Sequence, residues 1–558
     1  MRRLAFALVW TVALLSQTEP SLGDAFARLQ AGDAAGAESL LLKIAEKKPA
    51  DPRVWRMLGN ARLRLTKYDG SVQAFRQALS LDPTNPQTMY NLGCVYAHMG
   101  SKEEAFSWLE KAKGAHMDMS GIDRDPDLDN LKADATRFPQ LKPRPEDFAN
   151  PFVESGVRVI HEWVGESADD QFGWIARNIG DVDGDGVPDF VTSAPTAAAG
   201  AGRIYVYSTK SGKLLWKTDG PANGNLGTGV EGAGDTNGDK IPDVVASAPG
   251  VGKAFVYSGR DGRLLRTLDA PVPAQQGAAE QFGRHISGAG DVNGDGFADV
   301  IVGAPGRGPG HAYIFSGKDG TLLSTLSGER DGDQFGATVA GYVHGGVTFL
   351  MAGAPAAGDR HTGRVYVYSD LKGHPKFVFD SDSTGRAYGN MFLSVPGDVD
   401  GDGIPDLYST DFVNAAKGPS TGRAYIHSGK DGHLIHTFTG ETAGEALGIG
   451  VATAGDVDRD GHADLIIGAW QYSAAAVSGG RAYLFSGKDG HLMRTITCRV
   501  PGDTFGFDTQ AMGDIDGDGA IDFLITSAWS GVHGYHSGRV FLISGANPER
   551  PPVNQPSR

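Results

Sequence analysis

Side-chain oxygens recur in the run Asp291-Val292-Asn293-Gly294-Asp295-Gly296-Phe297-Ala298-Asp299, at positions 1, 3, 5 and 9, with glycine at position 6. This is how a short loop wraps a hard cation. Calcium takes about 6–8 oxygens at about 2.3–2.6 Å, alternate residues aim theirs at one point, and glycine supplies the tight turn. Apolar, β-branched residues flank the run (Ile286, then Val300-Ile301-Val302), so the loop joins two strands. Five more runs keep the spacing: Asp181, Asp183, Asp185 and Asp189; Asp235, Asn237, Asp239 and Asp243; Asp398, Asp400, Asp402 and Asp406; Asp456, Asp458, Asp460 and Asp464; Asp514, Asp516, Asp518 and Asp522. Their first residues lie 54, 56, 107, 58 and 58 apart, and the 107 is a doubled step spanning a unit without its loop. A lone Asp/Gly turn carries little information; six in one register predict six calcium ions.

The loops need strands to hold them. From Gly156 onward each unit opens on Phe172-Gly173, Leu226-Gly227, Phe282-Gly283, Phe335-Gly336, Leu447-Gly448 or Phe505-Gly506, and in five of these the loop begins nine residues later. A β-branched run follows, ending in Ser193-Ala194-Pro195, Gly303-Ala304-Pro305 or an equivalent. Then come an alternating strand such as Ala312-Tyr313-Ile314-Phe315, a turn at Gly317-Lys318-Asp319-Gly320, and a last strand, Leu322-Leu323-Ser324-Thr325-Leu326. Four short strands, repeated seven times, predict a seven-bladed β-propeller. The seventh unit ends at Val540-Phe541-Leu542-Ile543 without a fourth strand, while Val157-Arg158-Val159-Ile160-His161-Glu162-Trp163 precedes the first unit unclaimed. That segment is expected to fill the vacancy, joining first and last blades and removing two open edges.

The Phe-Gly and Gly-Ala-Pro signatures around Asp-x-Asp-x-Asp-Gly-x-x-Asp resemble FG-GAP repeats, the propeller of integrin α subunits, across residues 156–546. The resemblance implies that the loop side chains named above ligate calcium. It also implies that Val187, Ile241, Phe297, Ile404, His462 and Ala520, at position 7, offer main-chain carbonyls. Three departures stand out. The fourth unit has Tyr342-Val343-His344-Gly345-Gly346-Val347-Thr348 in place of its loop and is expected to bind no ion. Lys240 replaces the position-6 glycine, making the second site the weakest. The fifth unit opens with Tyr388-Gly389 one residue early and has Thr410-Asp411-Phe412 in place of Gly-Ala-Pro, which predicts a bulge. Only residues 270–280 separate the second and third units where an adhesion domain can be inserted, so integrin ligand recognition does not transfer.

Upstream the period turns helical, giving a multidomain chain of α plus all-β class. Pro49 and Pro83, Pro52 and Pro86, Trp55 and Met89, Leu58 and Leu92, and Gly59 and Gly93 are each 34 residues apart. This spacing resembles tetratricopeptide (TPR) repeats and implies three helical hairpins over residues 24–140. Arg62 stands where an aromatic is usual. Asp125-Pro126-Asp127-Leu128 is expected to open a capping helix reaching Phe138. Repeats of this kind bind peptides or proteins in a concave groove, and the resemblance implies a partner there. Residues 141–155, with three prolines and no period, read as a stiff linker. The propeller is expected over residues 156–548 and a disordered tail over 549–558.

Residues 1–23 read as an export signal: Arg2 and Arg3 precede an apolar stretch, and small residues favour a cut before Asp24. Nothing after it is apolar enough for a transmembrane helix, so a periplasmic, cell-surface or secreted protein is expected. With 558 residues the chain needs more than one core. The formal charge is -16, which six divalent ions would reduce to about -4, and no basic patch points to nucleic acid. Cys94 and Cys498 fall in different units, excluding a disulfide framework; both are expected as buried thiols. No nucleophile elbow, zinc motif or nucleotide loop occurs. The expectation is therefore a non-enzymatic interaction or adhesion protein. A calcium-dependent carbohydrate binder, or a propeller hydrolase or lyase with its site at the axis, is the alternative. Variable loops on the face opposite the cations carry Asp359-Arg360-His361, Phe412-Val413-Asn414, Trp470-Gln471-Tyr472, Trp529, His533, Tyr535 and His536, which form either a binding surface or packing between blades.

Overall fold

The computed structural model describes residues 21–271 and 281–546, which divide into two compact units, residues 21–117 with 122–141 and residues 118–121 with 142–546. Residues 1–20 of the expected signal and the whole expected tail lie outside the described residues. Ser21 caps the first helix.

In the first unit six helices pair as three antiparallel hairpins: α1 (Leu22–Gln30) with α2 (Ala34–Lys47), α3 (Pro52–Arg64) with α4 (Tyr68–Leu81), and α5 (Pro86–His98) with α6 (Lys102–Gly114). The 34-residue step sets the helix starts. Asp51 and Asn85 cap α3 and α5 through their side chains, each followed by proline at the first position, where a missing N–H costs nothing. It also sets the packing. A methyl group on Gly59 would lie 2.5 Å from the Phe75 ring, and one on Gly93 would lie 2.7 Å from Leu109. Arg62, the departure from the pattern, is used as a tie: its Nε donates to Glu38 at 3.1 Å and Nη1 to the Gly70 carbonyl at 2.9 Å.

The expected capping helix does not form. Residues 122–128 make two short 3-10 turns (Ile122–Arg124 and Pro126–Leu128), irregular turns follow, and only Phe138–Leu141 is helical. Asp125 caps the second of these turns, and downstream Asp134 competes for donors inside the expected helix. Its carboxylate accepts the N–H groups of Thr136 and Arg137. The stretch still buries Ile122, Leu128, Leu131, Phe138 and Leu141.

In the second unit 28 described strands make seven four-stranded blades. One parallel bridge, Thr453 to Gln510, links the inner strands of blades 6 and 7. The second strand of each blade is covered on both faces by its neighbours. Asp189–Ala194, Asp243–Ala248, Asp299–Ala304, Asp406–Asp411, Asp464–Ala469 and Asp522–Ser527 are buried at every residue, hence the apolar residues that follow each opening aspartate. The opening Phe or Leu of a unit forms a bridge to the glycine before the third strand of the preceding blade, as in Leu226 to Gly202, Phe335 to Gly310 and Phe505 to Gly480. Side chains are excluded there: a Cβ on Gly202 would lie 2.1 Å from the Leu226 nitrogen. Tyr388 keeps this role in blade 5, its hydroxyl meeting Ser409 Oγ at 2.6 Å.

The ring closes as the sequence predicts. Val159–Val164 pairs antiparallel with Arg539–Ile543, Val159 opposite Ile543 and, past a bulge at Ile160, His161 opposite Leu542 through Val164 opposite Arg539, and Phe172 bridges Gly538. In blade 4 the missing loop is a tight hairpin, His344 opposite Val347 across Gly345 and Gly346, both at positive φ, which suits a two-residue turn. The stretch expected as a stiff linker is docked on blade 6. Phe148 and Phe152 are buried, Phe152 bridges Cys498, and the Val153 N–H donates to the Thr497 carbonyl at 2.9 Å.

Candidate metal centre

Each of the six loops is wound by its own carboxylates. The aspartate at position 1 accepts main-chain N–H groups across the turn: in loop 1 Asp181 takes those of Gly184 at 2.7 Å, Asp185 at 3.2 Å and Gly186 at 3.0 Å. The position-3 residue accepts the position-5 N–H in all six loops. Position 5 in turn accepts the N–H of position 7, namely Val187, Ile241, Phe297, Ile404, His462 and Ala520. Position 9 begins the buried second strand. There Asp189, Asp243, Asp299, Asp406, Asp464 and Asp522 are all 0% exposed. One oxygen of each takes the position-2 N–H. The other takes an N–H from the turn after the third strand, as Asp299 does from Gly317 at 3.1 Å and Asp406 from Gly429 at 3.0 Å. These aspartates thus tie each loop to its own blade.

The winding gathers like charges. Carboxylate oxygens of Asp181, Asp183 and Asp189 lie within 4.8 Å of one another, as do those of Asp398, Asp400 and Asp406, of Asp456, Asp458 and Asp460, and of Asp514, Asp516 and Asp522. Burial, reinforced by the neighbouring carboxylates, pushes Asp189, Asp299, Asp406 and Asp522 up to about 6 and raises Asp243 and Asp464 in the same direction. An all-oxygen, multiply charged donor set on a turn suits a hard divalent cation. Such an ion offsets both the burial and the repulsion.

Residues 172–207 and 282–320 match the FG-GAP repeat, and residues 398–467 match an FG-GAP-like repeat. Residues 59–100 and 86–115 match TPR (tetratricopeptide) repeats. The chain joins tetratricopeptide repeats to FG-GAP repeats. Its relatives include integrin alpha-4 of Xenopus laevis, 31% identical over 36% of this chain and 21% of that protein. Integrin alpha-3 of Cricetulus griseus is 27% identical over 41% of this chain and 23% of its own length, and integrin alpha-5 of Xenopus laevis 28% over 36% and 21%. The chain thus spans about a fifth of the length of these relatives.

The FG-GAP loops differ in detail. Lys240 takes the left-handed backbone at φ 66°, and Arg459 takes it at position 4 with φ 64°, where the other five loops have glycine; the position-4 requirement was missing from the sequence reading. In loop 2 the Asn237 amide donates to both oxygens of Asp243 at 3.1 Å, and in loop 3 Asn293 donates to Asp295 at 3.4 Å. Basic residues from the turn after the third strand flank position 5: Arg260 to Asp239 at 3.9 Å, Lys318 to Asp295 at 3.9 Å, Lys430 to Asp402 and Lys488 to Asp460 at 3.6 Å. Lys210 reaches the Asp185 carbonyl at 2.7 Å. Their signal was the recurring Gly-Lys-Asp-Gly turn.

On the opposite face the aromatics are packed. Trp470 and Tyr472 are buried, and Trp529 lies edge-to-face on Trp470, centroids 4.8 Å apart, and stacked on His536 at 5.2 Å. At the inner strands Arg177, on blade 1, pairs with buried Asp508 of blade 7 and with Glu231 of blade 2 at 2.9 Å. Fully buried Arg539 pairs with Asp503 at 2.7 Å and with Glu162 of the closing strand at 3.0 Å. Among the described residues no helix is long and apolar enough to cross a membrane.

Proposed function

We propose that this is an exported, calcium-binding protein that acts without catalysis in protein–protein interaction or cell adhesion. In this reading the propeller is one interaction module and the helical array another. The observation that carries it is the repeated convergence of three carboxylates around a turn whose position-9 aspartate anchors the blade. A cation bound only by the folded loop stabilises the fold by mass action. Extracellular modules bind calcium with Kd of about 10⁻⁴–10⁻³ M, matching the compartment that the N-terminal signal implies. Near-equivalent loops each fixed to its own blade fit structural ions better than one reactive centre. The helical unit offers a cavity of about 470 Å³ lined by Asn60, Arg64, Tyr68, Gln87, Asn91 and His98, polar groups suited to an extended peptide.

Calorimetry with calcium, melting curves with and without chelator, and co-purification of partners under both conditions test this. Uptake of several ions, a chelator-sensitive melting temperature and partner capture are expected. No uptake together with an unchanged melt rules out the calcium role, and turnover of any glycoside or ester rules out the non-enzymatic one.

A further inference from the structure

We propose that Arg158 is the resident counter-ion of the blade-7 loop, Asp514–Asp522; each loop takes the number of its blade, so that the fifth is Asp398–Asp406 and the seventh Asp514–Asp522. In this reading, which rests on calcium binding by the loops, calcium enters that loop only by displacing the guanidinium and so binds there more weakly than elsewhere. In loops 2, 3, 5 and 6 the flanking base comes from the blade's own turn and approaches position 5 alone, no closer than 3.6 Å. Blade 7 has no such base, since its turn reads Ser544-Gly545-Ala546. Arg158, from the start of the propeller sequence, takes the place and goes further in. One guanidinium nitrogen bonds Asp516 at position 3 and Asp518 at position 5, the latter at 2.7 Å, and Ser544 Oγ at 2.9 Å. The serine hydroxyl in turn donates to Asp518 at 3.1 Å. The residue is held there by its backbone, because the Ser544 N–H donates to the Arg158 carbonyl at 2.9 Å.

A guanidinium and a divalent ion repel each other, and both draw on the carboxylates at positions 3 and 5. The two states therefore exclude one another at these side chains. Arg158 immediately precedes the closing strand (Val159–Val164), so the exchange links the ion content of one loop to the seam of the ring. With the arginine docked, the loop is neutralised and the start of the closing strand is fastened. With calcium bound, the guanidinium is released and that start keeps only its main-chain pairing.

Hydrogen exchange read by mass spectrometry on the full-length protein, across a calcium titration, separates the loops by peptide. Protection of the seventh loop is expected at a calcium concentration about tenfold above that for the fifth loop, whose four ligand positions are also aspartates, reflecting the competing charge. Arg158→Gln should bring the seventh-loop midpoint down to that of the fifth, which serves as internal control for folding. Arg158→Lys, which keeps the charge, should leave it elevated. Equal midpoints in the wild type, or a seventh-loop midpoint unmoved by Arg158→Gln, overturn the proposal while leaving calcium binding intact. No response at either loop overturns both.

Discussion

At the scale of single residues, the loops are governed by backbone conformation and charge. Lys240 occupies a left-handed position that costs a residue with a Cβ about 1–2 kcal/mol, and it carries a positive charge into a cation loop. Lys240→Gly should stabilise the propeller by about 0.5–1 kcal/mol, after the extra unfolded-state entropy of glycine, and sharpen calcium uptake at the second loop; urea titration at fixed calcium reads it. His285 shows the opposite effect of burial. Enclosure first, then the cations of Arg177 and Arg284, hold its imidazole down to about 3. Its folded value lies below the ordinary value of about 6.5, so the neutral form supports the fold above pH 6.5 and that support is lost as pH falls toward 3. One such group changes stability by at most about 1.4 kcal/mol per pH unit. His285→Asn should thus lose less melting temperature between pH 6.5 and 5.5 than the wild type. The six metal loops were legible because residue type and short-range spacing carry the whole signal. His285, Arg177 and Asp508 were not, since Arg177 and Asp508 stand 331 residues apart and meet only at the axis.

At the scale of elements, close approach and buried ion pairs decide what can change. Gly93→Ala places a methyl 2.7 Å from Leu109 between α5 and α6. Overpacking of this kind costs about 1–3 kcal/mol, so exchange over residues 86–115 should rise while the propeller peptides stay protected. Arg539 joins Asp503 to the closing strand through Glu162, and the first two are fully buried. Arg539→Met leaves a buried carboxylate uncompensated, a loss of about 3–5 kcal/mol. Adding Asp503→Asn should recover much of it, as thermal melting would show. The 34-residue period located the helices because caps and glycines repeat with it. The same reading overextended the array beyond Leu128, where the Asp134 side chain captures backbone donors that a continuing helix needs. It also took residues 148–152 for a spacer, because two phenylalanines among prolines carry no period and find their pocket only on blade 6.

At the scale of the whole molecule, the seam between blades 7 and 1 concentrates the long-range contacts. The closing strand, the Phe172 bridge, Arg177 with Asp508, and Arg158 with the seventh loop all cross or flank it. The sequence showed the vacancy and its filler by counting strands, but not the polar ties that fasten them. The order of synthesis gives this seam a further meaning. Val159–Val164 leaves the ribosome some 380 residues ahead of its partner Arg539–Ile543. Throughout elongation the early strand is an unpaired edge carrying Trp163, able to seek other chains. A chain halted before Phe541 would lack the residues opposite Val159, His161 and Glu162, and its wheel would stay open, so only a chain extended past Ile543 can hide that edge.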